Sequence, residues 1–242
     1  MSTIHRNTQI FFNPTKKVGR KICQAILIAG LFVASKPSAA QINEKQIGSW
    51  WMYFFNHHQA HKRFGFQGDV QLRNWGLAED LEQLMLRGGA SFSPIGKKWK
   101  FTQGYAHIST GKFGKSTAIF GENRIYQELL VPSKLGTRFY FNHRFRFEER
   151  FIDNQDFKTR FRYNLFLNIP LSQSAFTKHV FYAALYNELF LNTQKEAFDR
   201  NRFYAALGFV IKEGLKTQFG IMQQSTQNWT KNQFQLSLHH NF

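Results

Sequence analysis

Residues 138–151 alternate between polar and aromatic side chains along almost their whole length. The even positions are charged or polar, among them Arg144, Arg146 and Glu148, and five of the seven odd positions are Phe. A two-residue period is that of a β-strand, because successive side chains point to opposite faces, whereas a helix repeats about every 3.6 residues. After a polar turn at residues 153–156 the alternation resumes as far as residue 169, with Arg160 and Arg162 on the polar face. This pattern predicts a long β-hairpin with one charged and one apolar face.

The same alternation recurs from Trp50 to the C-terminus in about eleven segments of 9 to 15 residues, separated by clusters of Gly, Asn, Asp and Lys. A tilted strand crosses a bilayer with about 9–11 residues, whereas strands of globular proteins average about five or six. The segment lengths therefore favour a transmembrane barrel whose apolar faces meet lipid and whose polar faces line the lumen. A soluble β-sandwich or barrel, with the apolar faces packed inside, is the alternative.

The connections between these segments differ in length. They are short at residues 96–98, 133–136 and 212–215, and longer and polar at 111–121, 192–201 and 225–232. This difference predicts short periplasmic turns at one end and longer loops at the other. The predicted fold is all-β, an antiparallel up-and-down transmembrane β-barrel of 10 to 12 strands. Because closed bacterial barrels normally have an even number of strands, we expect one of the eleven segments to be misassigned, near residues 41–57 or after Thr110.

The N-terminus has the features of an export signal. Residues 1–21 contain five bases and no acid, residues 22–34 are apolar, and small residues follow at Ser38 and Ala40. The apolar run has the length of a signal-peptide core and is too short to span a bilayer comfortably. We predict a cleavable signal peptide at residues 1–40, a barrel at residues 41–242 and an outer-membrane location. The formal charge of +17 would otherwise suggest nucleic acid as a partner, and export argues against it. The single cysteine, Cys23, lies in the apolar run, so the barrel has no thiol for a disulfide or a zinc site.

Two resemblances support this assignment. The chain ends on alternating Phe234, Leu236, Leu238, His240 and Phe242, which resembles the terminal-strand signal by which Gram-negative outer-membrane proteins are recognised for assembly. This resemblance implies outer-membrane lipid and the barrel-assembly machinery as partners, with Phe242 as the signal residue. The runs at residues 143–151, 160–163, 187–190 and 199–202 resemble family 2490 of the domains of unknown function, described as outer-membrane β-barrels. The likeness extends over about residues 50–242 and implies fold and location, without an activity.

The predicted inward face is strongly basic. It carries four acids (Asp69, Glu128, Glu148 and Glu188) and eleven bases (Arg73, Arg87, Arg124, Arg138, Arg144, Arg146, Arg150, Lys158, Arg160, Arg162 and Arg202), together with Tyr186. One interpretation is a narrow pore for small anions, because rings of Arg and Lys favour anion passage. The other is a structural barrel in which Arg and Glu on neighbouring strands form paired ladders that fill the interior. Pairing is the favoured interpretation for residues 138–162, yet four acids cannot neutralise eleven bases.

Catalytic and metal sites have weak support. His143 falls on the apolar face, and no Ser or acid is placed beside it by its spacing in the sequence. His57, His58 and His61 cluster in a predicted turn, which is a weak metal signal. We predict a non-enzymatic barrel without cofactor or metal. Two alternatives stay open, namely an exported soluble β-barrel that binds a small ligand and an outer-membrane lipid-modifying enzyme.

Overall fold

The computed structural model describes residues 44–58, 61–114, 119–194 and 196–242. Eleven strands make up the described fold: β1 (Gly48–His57), β2 (Phe64–Asn74), β3 (Leu81–Phe92), β4 (Lys100–Gly111), β5 (Ile119–Leu135), β6 (Phe139–Ile152), β7 (Lys158–Pro170), β8 (Phe181–Asn192), β9 (Phe198–Lys212), β10 (Leu215–Thr226) and β11 (Thr230–Asn241). No helix in the described residues is long and apolar enough to cross a membrane. The predicted signal peptide at residues 1–40 lies outside the described residues.

The strands form one closed barrel in which each strand pairs with its neighbours in sequence. All of these sequential pairs are antiparallel, and the longest runs from Glu122↔Ile152 to Leu135↔Phe139 between β5 and β6. The barrel closes between β1 and β11, which pair in parallel from Gly48↔Gln233 to Asn56↔Asn241. An odd number of up-and-down strands brings the first and last strand together in the same direction, so the closing pair has to be parallel.

The all-β up-and-down barrel is therefore confirmed, within the predicted range of 10 to 12 strands. The expectation that one of the eleven segments was misassigned is wrong. Residues 48–57 form β1, and β4 and β5 are separate strands on either side of residues 112–118. The prediction of a fully antiparallel sheet is also wrong at the closing pair.

The predicted difference between short turns and long loops is not found. We call the end of the barrel where β1 begins the lower end and the opposite end the upper end. The lower connections are residues 75–80, 112–118, 153–157, 193–197 and 227–229, and the upper ones are 58–63, 93–99, 136–138, 171–180 and 213–214. The longest connection, 171–180, lies at the upper end, where the short turns were expected. The connections expected to be long (112–118, 193–197 and 227–229) have seven, five and three residues, and those expected to be short (93–99, 136–138 and 213–214) have seven, three and two, because the strands extend into the predicted long loops.

The two surfaces of the barrel differ in polarity as the alternation predicts. Along β7, Arg160, Arg162 and Asn164 are buried, whereas Phe161 between them is exposed. On other strands Phe203, Leu207 and Phe219 are each more than half exposed, while Lys231 is fully buried. The barrel therefore buries charged and amide side chains inside and presents large apolar side chains outside.

Two glycines allow large interior rings to lie against the wall. A Cβ atom on Gly104 would overlap the ring of Tyr126, and one on Gly208 would overlap the ring of Tyr182. Each tyrosine lies directly opposite its glycine on the neighbouring strand. The missing side chains give the rings room to lie flat across the next strand, which keeps space open at the centre of the barrel.

Candidate functional site

A network of arginines and carboxylates crosses the interior of the barrel, and Glu148 of β6 is at its centre. Its Oε2 accepts hydrogen bonds from Arg160 Nε at 3.0 Å and Arg160 Nη2 at 2.6 Å, and its Oε1 accepts one from Arg162 Nη1 at 2.6 Å. Arg146 Nη1 and Arg124 Nη1 lie 3.8 and 3.9 Å from the same carboxylate. With a side chain only 2% exposed, Glu148 brings four arginines together.

Glu188 and Glu128 extend the network to both sides. Glu188 Oε1 accepts hydrogen bonds from Arg162 Nη2 at 2.6 Å and Arg144 Nη2 at 2.8 Å. Glu128 Oε2 accepts one from Arg146 Nε at 2.9 Å and lies 3.9 Å from Arg144 Nε. The guanidinium groups therefore link carboxylates of β5, β6 and β8 in a continuous chain of ion pairs. Arg162 hydrogen-bonds to both Glu148 and Glu188, whereas Glu128 joins them through contacts of 3.8–3.9 Å.

The sheet register produces these pairs. Each of the four acids predicted on the inward face lies directly opposite an arginine of the next strand, in the pairs Asp69↔Arg87, Glu128↔Arg146, Glu148↔Arg160 and Glu188↔Arg202. Directly opposite positions are the closest cross-strand neighbours, so opposite charges there stabilise the pairing. Two-residue spacing along each strand then keeps every member of the network on the inner face.

Three further acids enter the interior that the sequence did not reveal. Glu82 and Asp199 are the unpaired residues of two β-bulges, opposite Arg73–Asn74 and Phe190–Leu191. A bulge inserts one extra residue, so a residue of the wrong parity turns inward. Glu82 Oε2 accepts from Trp50 Nε1 at 3.0 Å, and Asp199 Oδ2 accepts from Arg160 Nη1 at 2.7 Å. The third acid, Glu122, lies near the start of β5 in a stretch of chain adjoining the predicted loop.

Glu122 bridges two arginines that would otherwise repel. Arg124 and Arg150 face each other across β5 and β6. Each donates to Glu122 with Nε at 2.6 Å, and their Nη2 atoms donate at 2.7 and 3.1 Å. This bridging explains how two arginines occupy directly opposite positions.

Twelve of the thirteen residues predicted to line the lumen lie inside the barrel: Arg73, Arg124, Glu128, Arg144, Arg146, Glu148, Arg150, Arg160, Arg162, Tyr186, Glu188 and Arg202. The structure does not bring Arg138 into this set. Arg138 is exposed in the connection 136–138 and donates to the Leu171 carbonyl at 2.7 Å. Lys158, also counted on the inward face, is exposed at the start of β7 and donates to Gln155 Oε1 at 2.7 Å.

The interior carries more arginines than carboxylates. The described strands direct seven carboxylates inward, Asp69, Glu82, Glu122, Glu128, Glu148, Glu188 and Asp199. Against these are ten arginines, Arg73, Arg87, Arg124, Arg144, Arg146, Arg150, Arg160, Arg162, Arg200 and Arg202. The predicted excess of seven positive charges is therefore reduced to three among these groups. Three additional acids lie inside, and the number of bases falls from eleven to ten because Arg138 and Lys158 are exposed and Arg200 lies inside.

Two cavities lie along the barrel interior. The upper cavity has a volume of about 460 Å³, and the lower cavity, towards the end where β1 begins, has a volume of about 50 Å³. Arg73, Arg162 and Arg202 line both cavities, and we call these three residues the arginine triad. The triad therefore lies where the two cavities meet.

Aromatic rings hold the arginine triad in place. The guanidinium carbon of Arg73 lies 3.7 Å from the centroid of the Trp50 ring, and that of Arg162 lies 4.3 Å from the centroid of Phe190. Arg202 contacts both rings, at 4.8 Å from Trp50 and 4.6 Å from Phe190. Cation–π contacts of this kind are stronger where water is scarce. Trp50 and Phe190 thus fix three positive charges around the junction of the cavities.

The upper cavity is suited to a polar occupant. Arg146 Nη1, Tyr204 Oη, Gln235 Nε2 and Asn164 Oδ1 are buried on its wall without a hydrogen-bond partner in the described part of the chain. Buried polar atoms in proteins nearly always have a partner, so such a set marks a place for water or a polar solute.

A separate group of polar side chains lies on the outer surface. His143 Nε2 lies 3.3 Å from Ser133 Oγ, and His143 Nδ1 lies 2.9 Å from the Tyr163 hydroxyl. The serine partner that sequence spacing did not reveal is thus present, in a diagonal position across the β5–β6 hairpin. A phenol is found where a serine hydrolase would carry a carboxylate.

The described residues contain no cluster of side chains that could ligate a metal ion. No three His, Cys, Asp or Glu side chains of these residues come together in a way that could hold a metal ion. His57 instead stacks on Phe66, with ring centroids 5.2 Å apart. Phe242 lies beside them, with its ring 5.4 Å from His57 and its backbone nitrogen donating to the Asn56 carbonyl at 3.0 Å.

Comparison with known proteins identifies a family. A family model described as a protein of unknown function (DUF2490) matches residues 47–235. This span begins just before β1 and ends within β11, so it includes every strand of the arginine network. No curated protein and no solved structure gives a significant match. The resemblance found in the sequence is therefore confirmed, and the chain belongs to the DUF2490 family of proteins of unknown function.

Proposed function

We propose that this protein is an outer-membrane β-barrel that forms a narrow pathway for small anions. The observation that carries the proposal is the inverted polarity of the barrel. Side chains such as Phe203, Leu207 and Phe219 are more than half exposed, while Arg160, Glu148 and Lys231 are buried. A soluble barrel of this kind would expose an apolar patch far larger than soluble monomers tolerate. In a membrane the same surface meets lipid and the polar face lines the lumen.

Strand length supports the same location. The strands have 10 to 17 residues, and about 9–11 residues of tilted strand cross the hydrocarbon core. Every strand of the barrel is therefore long enough to span a bilayer. Export through a signal peptide at residues 1–40 would deliver the chain to the outer membrane.

The arginine triad supports anions as the solute. Three guanidinium groups lie where the upper and lower cavities meet, and the surrounding interior has more arginines than carboxylates. Rings of Arg or Lys attract anions and repel cations at a constriction. Contacts with Trp50 and Phe190 hold these groups in position between the two cavities.

The test is planar-bilayer conductance of protein purified from outer membranes of cells that express the full chain. We expect a small, anion-selective conductance, and we expect Arg73→Gln and Arg202→Gln to reduce the anion-to-cation permeability ratio. Arg138→Gln is the matched control, because Arg138 is exposed at the upper end. Heat-modifiable migration on gels checks that each variant has folded. Recovery of the protein only from the soluble periplasm would refute the membrane location.

A structural barrel is the second candidate, and the density of the ion pairs favours it. Glu148 alone contacts four arginines from three strands, and such crosslinks can fill an interior completely. A barrel that inserts in bilayers but carries no current would refute the anion pathway and favour this candidate.

The terminal Phe242 is proposed as the residue that the barrel-assembly machinery recognises. Its ring is exposed on the outer surface beside His240, with centroids 4.9 Å apart. We expect removal of Phe242 to lower the amount of heat-modifiable barrel in the outer membrane. Phe139→Ala is the control, since Phe139 is exposed on a different strand. Equal losses in both variants would contradict a specific signal.

We propose that the barrel is not an enzyme, although Ser133 and Tyr163 are each within hydrogen-bonding distance of His143. A phenol does not supply the negative charge by which a carboxylate stabilises the imidazolium formed in ester hydrolysis. The purified barrel is expected to release no fatty acid from phospholipid vesicles. Hydrolysis that Ser133→Ala abolishes would overturn this proposal.

A further inference from the structure

The lower cavity has a wall in which every charged side chain is an arginine. Seven arginines line it, together with Gln83, Met85 and Phe190, and no carboxylate of the described residues does. The carboxylates that pair with five of these arginines, Glu122, Glu148, Glu188 and Asp199, are not among the lining residues. A cavity with only positive charge on its wall is electrostatically favourable for an anion.

In three of these arginines the Nη1 nitrogen makes no hydrogen bond within the described residues. Arg124 and Arg150 use Nε and Nη2 for Glu122, and Arg200 uses the same two atoms for Asp199. Within the described residues, Nη1 of Arg150 and of Arg200 makes no hydrogen bond, and Nη1 of Arg124 has only Glu148 Oε2 at 3.9 Å. Side-on pairing of this kind leaves the far edge of each guanidinium able to donate to a second oxyanion.

Two more arginines have no carboxylate at hydrogen-bonding distance. Arg73 donates to the side-chain carbonyls of Gln71 at 2.6 Å and Gln83 at 2.8 Å, and no ion pair of Arg73 is found among the described residues. Arg202 donates to Gln224 Oε1 at 2.7 Å, and its nearest carboxylate oxygen is that of Glu188 at 3.7 Å. Both side chains are about 95% buried. A buried charge whose counterion is absent among the described residues, as for Arg73, or not hydrogen-bonded, as for Arg202, is unfavourable, so an anion in this cavity would stabilise both.

We propose that the lower cavity binds one tetrahedral oxyanion, inorganic phosphate or sulfate. Its volume of about 50 Å³ is enough for a few groups of the size of water, since a cavity needs about 10–15 Å³ to hold one water molecule. That is room for a single oxyanion and too little for an organic molecule. The guanidinium fork matches the oxygen geometry of phosphate and sulfate better than that of chloride. The site lies on the proposed anion pathway, and its identification as a solute site rests on that proposed function.

The test is calorimetric titration of the full-length expressed, purified barrel in detergent with sodium phosphate, with sodium sulfate and with sodium chloride at matched ionic strength. We expect saturable binding of one phosphate or sulfate per barrel and at least tenfold weaker binding of chloride. Arg150→Gln and Arg200→Gln are expected to weaken phosphate binding at least tenfold, and Arg138→Gln is expected to leave it unchanged. Glycerol phosphate, titrated in the same way, distinguishes a free ion from the phosphate of a larger molecule, and binding as tight as that of phosphate would overturn the assignment to a free ion.

A measurement on the unaltered protein guards against variants that fail to fold. Phosphate is expected to raise the urea midpoint of the wild-type barrel in a concentration-dependent manner, and chloride at equal ionic strength is not. Equal effects of chloride and phosphate, or no saturation, would overturn the proposal. In that case anion-selective conductance would still support the proposed function. Conversely, specific phosphate binding by a barrel without conductance would support the site and refute the pathway.

Discussion

Substitution of Glu148 by Gln tests whether the arginine network stabilises the barrel. The change keeps the shape of the side chain and removes its charge. It therefore weakens the hydrogen bonds from Arg160 and Arg162 at 2.6–3.0 Å and removes a counterion from Arg124 and Arg146 at 3.8–3.9 Å. The positive charges of four buried arginines are then less fully neutralised.

The expected loss of stability follows from the number of partners. A hydrogen bond to a charged group contributes about 1.5–3 kcal/mol, and Glu148 has two arginine partners at hydrogen-bonding distance. This gives a loss of about 3–6 kcal/mol, in the same range as the roughly 3–5 kcal/mol found when one member of a buried ion pair is removed. We expect Glu148→Gln to lower the free energy of unfolding by about 4 kcal/mol.

The assay is urea unfolding of the purified barrel in detergent, followed by tryptophan fluorescence. Urea is preferable to guanidinium, which would compete with the arginine side chains. Glu149→Gln is the matched control, because Glu149 lies one residue further on the outer face and has no ion pair or hydrogen bond in the described part of the chain. The control is expected to change stability by less than about 0.5 kcal/mol. Equal losses in the two variants, or no loss in Glu148→Gln, would refute the role assigned to the network.

Three further predictions concern the surface, the wall and the closing pair. Leu207→Arg on the outer face is expected to destabilise the barrel in lipid by about 2–4 kcal/mol, more than Leu207→Ala, and urea unfolding in vesicles measures both. Gly104→Ala is expected to lower the free energy of unfolding by about 1–3 kcal/mol, because the added methyl group displaces an interior tyrosine ring. Gly88→Ala is the control and is expected to leave the urea midpoint nearly unchanged, since no atom lies within 4 Å of the added methyl group. Trp51 and Leu236 lie opposite each other in the parallel pair. The double variant Trp51→Cys, Leu236→Cys is therefore expected to form a disulfide on mild oxidation, which a gel shift detects. Faster formation of the disulfide when the second cysteine is placed two positions away would contradict this register.

The general architecture follows from the sequence because one physical rule repeats along the chain. The two-residue period fixes strand type and inner face at once, so residues such as Arg146 and Arg162 could be assigned to the same interior. Closure could not be predicted in the same way. Whether eleven strands close is decided by the pairing of β1 with β11, which are nearly the whole chain apart, and local periodicity contains no information about that contact.

The two-residue period does not predict all of the interior acids. Glu82 and Asp199 have the wrong parity for their strands and turn inward only because each is the extra residue of a bulge. Ser133 comes within 3.3 Å of His143 because the hairpin places Val131 opposite His143, a register that depends on where the turn begins. A one-residue uncertainty in a bulge or a turn therefore changes the predicted charge and the predicted neighbours of a site.

The excess of arginine over carboxylate in the interior helps to distinguish a structural barrel from an anion pathway. Stability alone does not explain it, because apolar side chains of similar volume often replace buried ion pairs without loss. Glu188 keeps Arg162 and Arg144 at 2.6 and 2.8 Å when Arg202 is removed, so Arg202→Gln leaves no carboxylate without a partner. A structural interior would lose stability in both Glu148→Gln and Arg202→Gln, since both disrupt its packing. An anion pathway predicts that Glu148→Gln mainly destabilises the barrel, whereas Arg202→Gln mainly reduces anion selectivity, and conductance and urea unfolding of the same two variants distinguish these outcomes.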